Sequence, residues 1–550
     1  MSTVERWFLS AQERGNDASR IDRRREDGKA WTDGNAVRPL IHGATYFARL
    51  HDELTSVGSG DQVWFLDWRG DAGQRLAGPG TEVGPVLARA ARRGVAVRAL
   101  VWRSHPDEEG YSEQENKHVA QLVNEAGGEV VADERVRRFG SHHQKLVVIR
   151  RRDSDVEDAA FLGGIDLCHG RGDNERHRGD PQSIKLDPRY GSQPAWHDIQ
   201  LEVHGPAVGD LGETFRERWL DPTPVEQSPL RTLLRRLAPK PREETRPGRD
   251  RAARSGSDGD ATSVSAERPD PPPVGNVAVQ VLRTYPAKRP AFPFAPRGER
   301  SIARAYTKAL ENARSLIYIE DQYLWSTDVA SLFADALRRS PELRLIAVVP
   351  RYPDRDARFS GPLNRIGQQQ ALAMLHEAGD ERVAVYDLES EAGLPIYVHG
   401  KLCLIDDLWM TVGSDNLNRR SWTHDSEAAC AVLDPEHDPR HPVDPGGLGD
   451  GARVLPRNLR LALWHEHLGA DLPDAELLDP ETGFQAWIRA AQALDTWHAT
   501  AQKGPRPNGR ARRHRPKPVS AWASWWSRPL YRLAVDPDGR PRDLKRSDRF

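Results

Sequence analysis

The chain has 550 residues, with 79 Lys and Arg against 81 Asp and Glu, for a net charge of −2. That length allows two core-sized units. The near-neutral balance gives no global case for a nucleic-acid binder, and three cysteines, Cys168, Cys403 and Cys430, make no disulfide framework.

Residues 1–35 read as a polar N-terminal segment, Trp7, Phe8 and Leu9 apart. No apolar stretch follows its basic residues, so no secretory leader is expected. Pro39 to Leu54 predicts a helix with its proline in the first turn. Gln62–Trp68 reads as a strand, Val83–Arg93 as a helix, Val95–Trp102 as a strand, Asn116–Glu125 as a helix and Glu129–Ala132 as a short strand. The order then repeats: strand Leu316–Glu320, helix Val329–Arg338, strand Leu343–Val349, helix Gln368–Glu377 and strand Arg382–Tyr386. Strands alternating with helices argue for βαβ units around a covered, largely parallel sheet. Between the halves, Lys240–Gly275 is charged, rich in Pro, Gly and Ser and nearly free of large apolar residues, the composition of a disordered linker. Residues 501–550 carry 14 Lys and Arg against 4 Asp, with Trp522, Trp525 and Trp526 among them. Such a tail suits either an anionic membrane surface or docking of its tryptophans on the folded body. No run approaches the ~20 apolar residues of a membrane-spanning helix, so the expectation is a cytoplasmic monomer, peripheral to a membrane at most.

The chemistry concentrates in two places. His143-Gln144-Lys145 is followed by the apolar run Leu146–Ile149, a second apolar stretch ends in Gly163, Gly164 and Asp166, and Asp198 precedes an apolar strand reaching Val203. His399-Gly400-Lys401 is followed by Leu402–Ile405, then by Asp406 and Asp407. Trp409–Val412 leads into Gly413, Ser414 and Asn416, and Glu427 precedes a strand reaching Val432. On extended backbone, residues i and i+2 share a face, so each pattern projects an imidazole and an ammonium together. One His-x-Lys is ordinary surface chemistry; the same series of parts twice, in one order, is an internal duplication.

These residues, with GGIDLCHGRGD (163–173), WHDIQLEVHGP (196–206), IYIEDQY (317–323) and LRLALWHEHLG (459–469), resemble the phospholipase D superfamily with two HxKx4D motifs, most of all its eukaryotic-type phosphatidylcholine-handling branch. The likeness covers most of 36–235 and 276–470. It implies an α/β fold of two duplicated units with mixed, largely parallel sheets, pseudo-twofold, sharing one active site. The units would be 36–239 and 276–500.

A phosphodiester repels nucleophiles, so its cleavage needs cations at the phosphate, a nucleophile and an acid for the leaving oxygen. Lys145 and Lys401 would neutralise phosphate oxygens. The two histidines suit nucleophile and acid because their reference pKa of about 6.5 lies near working pH. The resemblance implies His143 as nucleophile, forming a phosphohistidine, and His399 as general acid. It also implies Asp198 and Glu427 as the carboxylates fixing the histidine tautomers, and Gly164, Asp166, Ser414 and Asn416 as the phosphate-pocket lining. The lysines supply the charge, so no metal or cofactor is expected. The seventh-position acid is Asp406 in the second motif, whereas the first has Arg150 and a polar insertion, 151–158. The reaction implied is hydrolysis of a glycerophospholipid to phosphatidic acid and head-group alcohol, with transfer to another alcohol as a side activity. The competing readings are a cardiolipin synthase-like phosphatidyltransferase, a nuclease of the same superfamily and a non-catalytic lipid-binding scaffold. The tripeptide Arg171-Gly172-Asp173 reads as incidental, and His465-Glu466-His467 fails the HExxH spacing of a zinc protease.

Overall fold

A computed structural model of the chain describes residues 2–103, 113–153, 155–225, 264, 268–353, 360–516, 531–546 and 550. Its strands run β1 Thr32–Ile41, β2 Gln62–Asp67, β3 Ala96–Trp102, β4 Glu129–Asp133, β5 Leu146–Arg150, β6 Ala159–Gly163, β7 Ala195–His197, β8 Ile199–His204 and β9 Val277–Tyr285. They continue as β10 Glu299–Arg300, β11 Leu316–Asp321, β12 Arg344–Val348, β13 Val383–Glu389, β14 Pro395–Val398, β15 Lys401–Ile405, β16 Trp409–Gly413, β17 Glu427–Leu433 and β18 Ala511–Arg513.

Hydrogen-bonded neighbours give the order β4-β3-β2-β5-β6-β8-β1 in the first half. The second half repeats it as β13-β12-β11-β15-β16-β17-β9. β1 also pairs with β9 through Thr32 and Asn35, which joins the two into one large sheet.

Alternation along each strand builds the layers. Val63 and Phe65 of β2 face a core closed by helices Gly43–Ser56, Val83–Arg92 and Glu113–Glu125, while Trp64 and Leu66 face the other way. In β11, Ile317 and Ile319 face helices Ser301–Asn312 and Thr327–Arg339, and Leu316 and Tyr318 point inward. The inward faces of both halves meet in one shared core that also receives helices Ala207–Trp219, Val454–Leu468 and Pro480–Ala499.

The mixed α/β class and the duplication are as expected, but the weight of the pairing differs. Among the described residues, only β2-β3-β4, β11-β12-β13 and β7-β14 are parallel ladders; the remaining ladders are antiparallel. The βαβ crossovers cover just those outer strands. β15 and β16 are joined by Asp406, Asp407 and Leu408, a hairpin, and hairpins make antiparallel pairs. Asp406 and Asp407 stand at φ 54° and 53°, a left-handed conformation that aspartate tolerates.

The expected helix at Pro39 and the end of the expected linker need correction. Pro39 lies in a strand rather than a helix, opposite Leu201 of β8, and the helix begins only at Gly43. A proline fits because β9 pairs with β1 only near its start, so the other edge of β1 needs no N–H at Pro39. The N-terminal segment is folded: Trp7, Phe8 and Leu9 are buried against helix Ser301–Asn312, and Trp7 Nε1 donates to Asp450. Residues 240–263 of the expected linker lie outside the described residues. Its end is packed: Val264 is buried, Asp270 pairs with Arg24, and Val274 and Gly275 donate to Gly34. In the tail, β18 pairs with β13, Asp536 accepts from Arg419 and Arg420, and Phe550 packs on Trp422. Trp522, Trp525 and Trp526 lie outside the described residues. Among the described residues, no helix is long and apolar enough to cross a membrane.

Candidate active site

Neither histidine lies within a strand. His143 precedes β5, and His399 sits between β14 and β15 with Gly400 beside it. Each of these approach segments pairs with the other half, β14 while also pairing with β13 of its own. β14 runs parallel to β7, Val398 opposite His197, and His399 N–H donates to His197 O at 2.7 Å. His142 bridges Ser426 in the same parallel sense, and His143 N–H donates to Ser426 O at 2.9 Å. Asp198 directly follows His197, and Glu427 directly follows Ser426. The crossing therefore exchanges the carboxylates: His399 Nδ1 lies 2.7 Å from Asp198 Oδ2, and His143 Nδ1 lies 3.0 Å from Glu427 Oε2. Each histidine is held by the acid of the opposite half. With Nδ1 so engaged, Nε2 is the nitrogen left for chemistry.

Differences between the halves match their acids. A Cβ on Gly164 would sit 2.2 Å from Asp198 Oδ1, so the short aspartate needs a glycine at its side. The corresponding Ser414 donates its hydroxyl to Glu427 Oε2 and accepts from Ala428 N–H at 3.1 Å. Asp198 accepts from Ile199 N–H at 2.9 Å and from Trp196 Nε1 at 3.2 Å.

The cations stand between the histidines and the pocket lining. Lys145 Nζ donates to His143 O at 2.9 Å and lies 3.3 Å from Asp166 Oδ1. Lys401 Nζ donates to His399 O at 2.6 Å and to Gln322 Oε1 at 3.3 Å. Asn416 is buried, its Oδ1 without a partner among the described residues. The arrangement thus brings together His143, Lys145, Gly164, Asp166, Asp198, His399, Lys401, Ser414 and Glu427.

Asp406 is elsewhere. At the far end of β15 it accepts the N–H groups of Arg314, Ser315 and Leu316, each at 2.8 Å, and the Ser315 hydroxyl. It braces the start of β11 and touches no reacting group. At the matching place, Arg150 Nε donates to Asp158 Oδ2 at 2.6 Å, while Asp61 accepts N–H groups of Gly58 and Arg152 at 2.9 and 2.7 Å. Here the bracing carboxylates come from the insertion and from the turn before β2.

Residues that the two His-x-Lys series do not mark complete the walls. Arg171 stacks on Trp196, 3.9 Å from the ring centroid, with Asp166 Oδ2 3.7 Å away. The Trp196 ring packs 4.8 Å from that of His399, and Trp68 lies edge-on to His143 at 6.0 Å. Gln322 also lines a small surface pocket with Tyr323, Trp325, Arg351, Tyr352 and Arg365. A signal for three of them is present in the chain: Arg171, Trp196 and Gln322 fall within GGIDLCHGRGD, WHDIQLEVHGP and IYIEDQY, Arg171 inside the tripeptide that reads as incidental.

Burial, then Lys145 and Lys401, push His143 well down; burial, then Lys401 and Arg171, do the same to His399. Each half's lysine acts on the other half's histidine as well as its own. Burial raises Asp198 to about 6 and, with the Asp425 charge, Glu427 to about 8. Burial lowers Lys401 to about 8, against the pull of Asp198. Two neutral imidazoles thus lie within reach of two lysine ammonium groups.

Residues 72–245 match the family profile described as phospholipase D, and residues 306–438 the one described as cardiolipin synthase, PLD-like domain. The two matches take in one histidine–lysine pair each. Phospholipase D alpha 2 of Brassica oleracea var. capitata is 25% identical over 517 residues, covering 73% of this chain and 60% of its own. Phospholipase D alpha 1 of Arabidopsis thaliana is 24% identical over 520 residues, covering 75% and 61%. Among solved structures, phosphatidylserine synthase of Haemophilus influenzae Rd KW20 is 15% identical with a TM-score of 0.47, covering 72% of this chain and 82% of that one. The chain thus spans about 60% of the length of the curated relatives it matches. Two profile matches in tandem, over a duplicated fold whose paired motifs meet at one site, make the chain a member of the phospholipase D superfamily.

Proposed function

We propose that the chain is a phospholipase D-type phosphodiesterase acting on glycerophospholipids of the phosphatidylcholine and phosphatidylethanolamine class. The observation that carries this reading is the crossed pairing, which presents two Nε2 atoms and two ammonium groups to one pocket. His143 Nε2 attacks phosphorus, and the bond to the head-group oxygen breaks. His399 Nε2–H gives its proton to that oxygen, releasing the alcohol. Water then attacks the phosphohistidine, returns a proton to His399 and frees phosphatidic acid. His143 suits the attacking role because it is the more open of the two, 16% exposed against 6% for His399. Burial and, after it, the lysines hold both imidazoles neutral before substrate binds, and the arriving phosphate anion offsets the lysine charge, so His399 can take up its proton. Asp198 and Glu427 keep the Nδ1 protons in place, as the partner acid does in catalytic triads. Peripheral contact with a bilayer follows from the substrate.

Incubating the purified chain with mixed phosphatidylcholine and phosphatidylethanolamine vesicles plus ethanol tests this. Phosphatidic acid and phosphatidylethanol are the expected products. The match of residues 306–438 to a cardiolipin synthase profile favours a second reading, transfer between lipids. Cardiolipin from added phosphatidylglycerol, without phosphatidic acid, would select it; nucleotides released from added DNA would overturn both.

A further inference from the structure

Behind the catalytic acid lies a buried group that the reaction does not use. Glu466, on helix Val454–Leu468 of the second half, meets three histidines of the first half. His42 Nε2 lies 2.8 Å from Glu466 Oε2, while His177 Nε2 and His197 Nδ1 lie 2.9 and 3.3 Å from Glu466 Oε1. One donor atom from each of the four lies within 4.8 Å of all the others. The ring centroids are 5.1, 5.2 and 5.6 Å apart, so the imidazoles converge around the carboxylate. His42, His177 and His197 are at most 4% exposed, so three imidazoles are gathered in an enclosed site. Two of them are held on unusual backbone: His42 has φ 71° and His177 φ 51°, positive values that a non-glycine residue rarely adopts.

We infer that His42, His177, His197 and Glu466 form a structural binding site for one divalent first-row cation, with zinc the ion that the donor set fits best. Three imidazoles and one carboxylate oxygen are a four-coordinate zinc donor set, and imidazole is the ligand that distinguishes such ions from magnesium and calcium. The surroundings match the outer shell of such a site. His197 Nε2 lies 2.8 Å from Glu320 Oε2, so one ring nitrogen faces the cluster while the other is held by a carboxylate, the usual arrangement of a metal-bound histidine. Glu320 is held in turn by Tyr318 OH at 2.6 Å and His467 Nε2 at 2.8 Å. The site joins the two halves beneath the crossed strands: His197 O accepts the His399 N–H, and Asp198 is the next residue. The cation fixes the position of Asp198 from behind and stays clear of the phosphate. It does not depend on which lipid, if any, the enzyme cleaves.

The test is metal content and coordination in the full chain. After dialysis with a weak chelator, elemental analysis should find about one zinc per chain, and X-ray absorption should show three imidazoles and one oxygen donor near 2.0–2.1 Å. Glu466→Gln and His177→Ala should each lose the ion, whereas His465→Ala, on the same helix but paired with Asp474 outside the cluster, should keep it. Removing zinc with a strong chelator should lower the melting temperature by several degrees, and adding zinc alone should restore it. The wild-type absorption spectrum needs no variant to fold. Failure to retain zinc after incubation with it, or coordination without multiple imidazoles, would overturn the site and identify the group as a hydrogen-bonded ion network. Stoichiometric zinc in both cluster variants would overturn it as well.

Discussion

The two halves of this molecule have one strand order and one series of motifs, yet they differ at the seventh position of the histidine–lysine motif. In the second half Asp406 caps three backbone N–H groups before β11. In the first half that position is Arg150, and the bracing passes to Asp61 and Asp158. What neither half changes is the pairing of histidine with the opposite half's carboxylate. The comparison separates a brace, which the fold can rebuild from other residues, from a crossed histidine–carboxylate geometry, which needs both halves at once.

Breaking the crossed geometry should have the largest effect. His143→Ala should lower kcat by at least about 10⁴-fold, because it removes the proposed nucleophile. His399→Asn should cost about 10²- to 10⁴-fold in hydrolysis, the usual worth of a general acid, and less on a substrate with a good leaving group. Steady-state rates on natural and activated phospholipids distinguish the two roles. If the halves were interchangeable, the two variants would respond alike to the leaving group.

The carboxylates come next. Glu427→Gln and Asp198→Asn should each lower kcat by about 10²-fold or more through loss of the correct tautomer, with little change in melting temperature. A double-mutant cycle sharpens the comparison. Glu427→Gln should be strongly non-additive with His143→Ala and closer to additive with His399→Asn.

The pH profile should be a narrow bell. The carboxylates must be ionised to hold the Nδ1 protons, so kcat/KM should fall as pH drops through the raised values of Glu427, about 8, and Asp198, about 6. Lys401 must be charged to meet the phosphate, so kcat/KM should also fall as pH rises through its lowered value of about 8. A maximum close to pH 8 is expected, and Glu427→Gln should flatten the acid limb. A profile level from pH 5 to 10 would contradict this assignment.

The braces should matter least to chemistry. Asp406→Ala strands three N–H groups and should cost about 3 kcal/mol of stability, against about 1 kcal/mol for Arg150→Ala, where Asp158 still accepts the Arg151 N–H. Denaturant titration measures both. Where the variants stay folded, kcat should change less than tenfold.

Much of the site is legible in the sequence itself. The repeated His-x-Lys pattern, the apolar runs behind it and the later acids identify the site residues because the motifs are local in sequence. The crossing is not legible, since it depends on β14 pairing with β7 of the other half, about 200 residues away in sequence, and nothing in either strand specifies its partner. Pro39 misleads for a physical reason: a proline suits the first turn of a helix and the open edge of a strand equally, and only the neighbour decides. Polar composition also hides the anchoring of the N-terminal segment, where Trp7, Phe8 and Leu9 suffice to bury it. In sequence Glu466 has only His465 and His467 beside it, at a spacing that suggests no metal, whereas its partners His42, His177 and His197 come from the other half.

The most direct test is to locate the covalent intermediate in the His399→Asn background with a phosphate-labelled, short-chain phospholipid bearing a good leaving group. Rapid quench and peptide mapping should place the label on His143. Adding Glu427→Gln should slow labelling by about 10²-fold, whereas adding Asp198→Asn, whose partner histidine is already gone, should change it little. Label on any other residue, or equal slowing by both carboxylate changes, would contradict a site in which each half's histidine is held by the other half's acid.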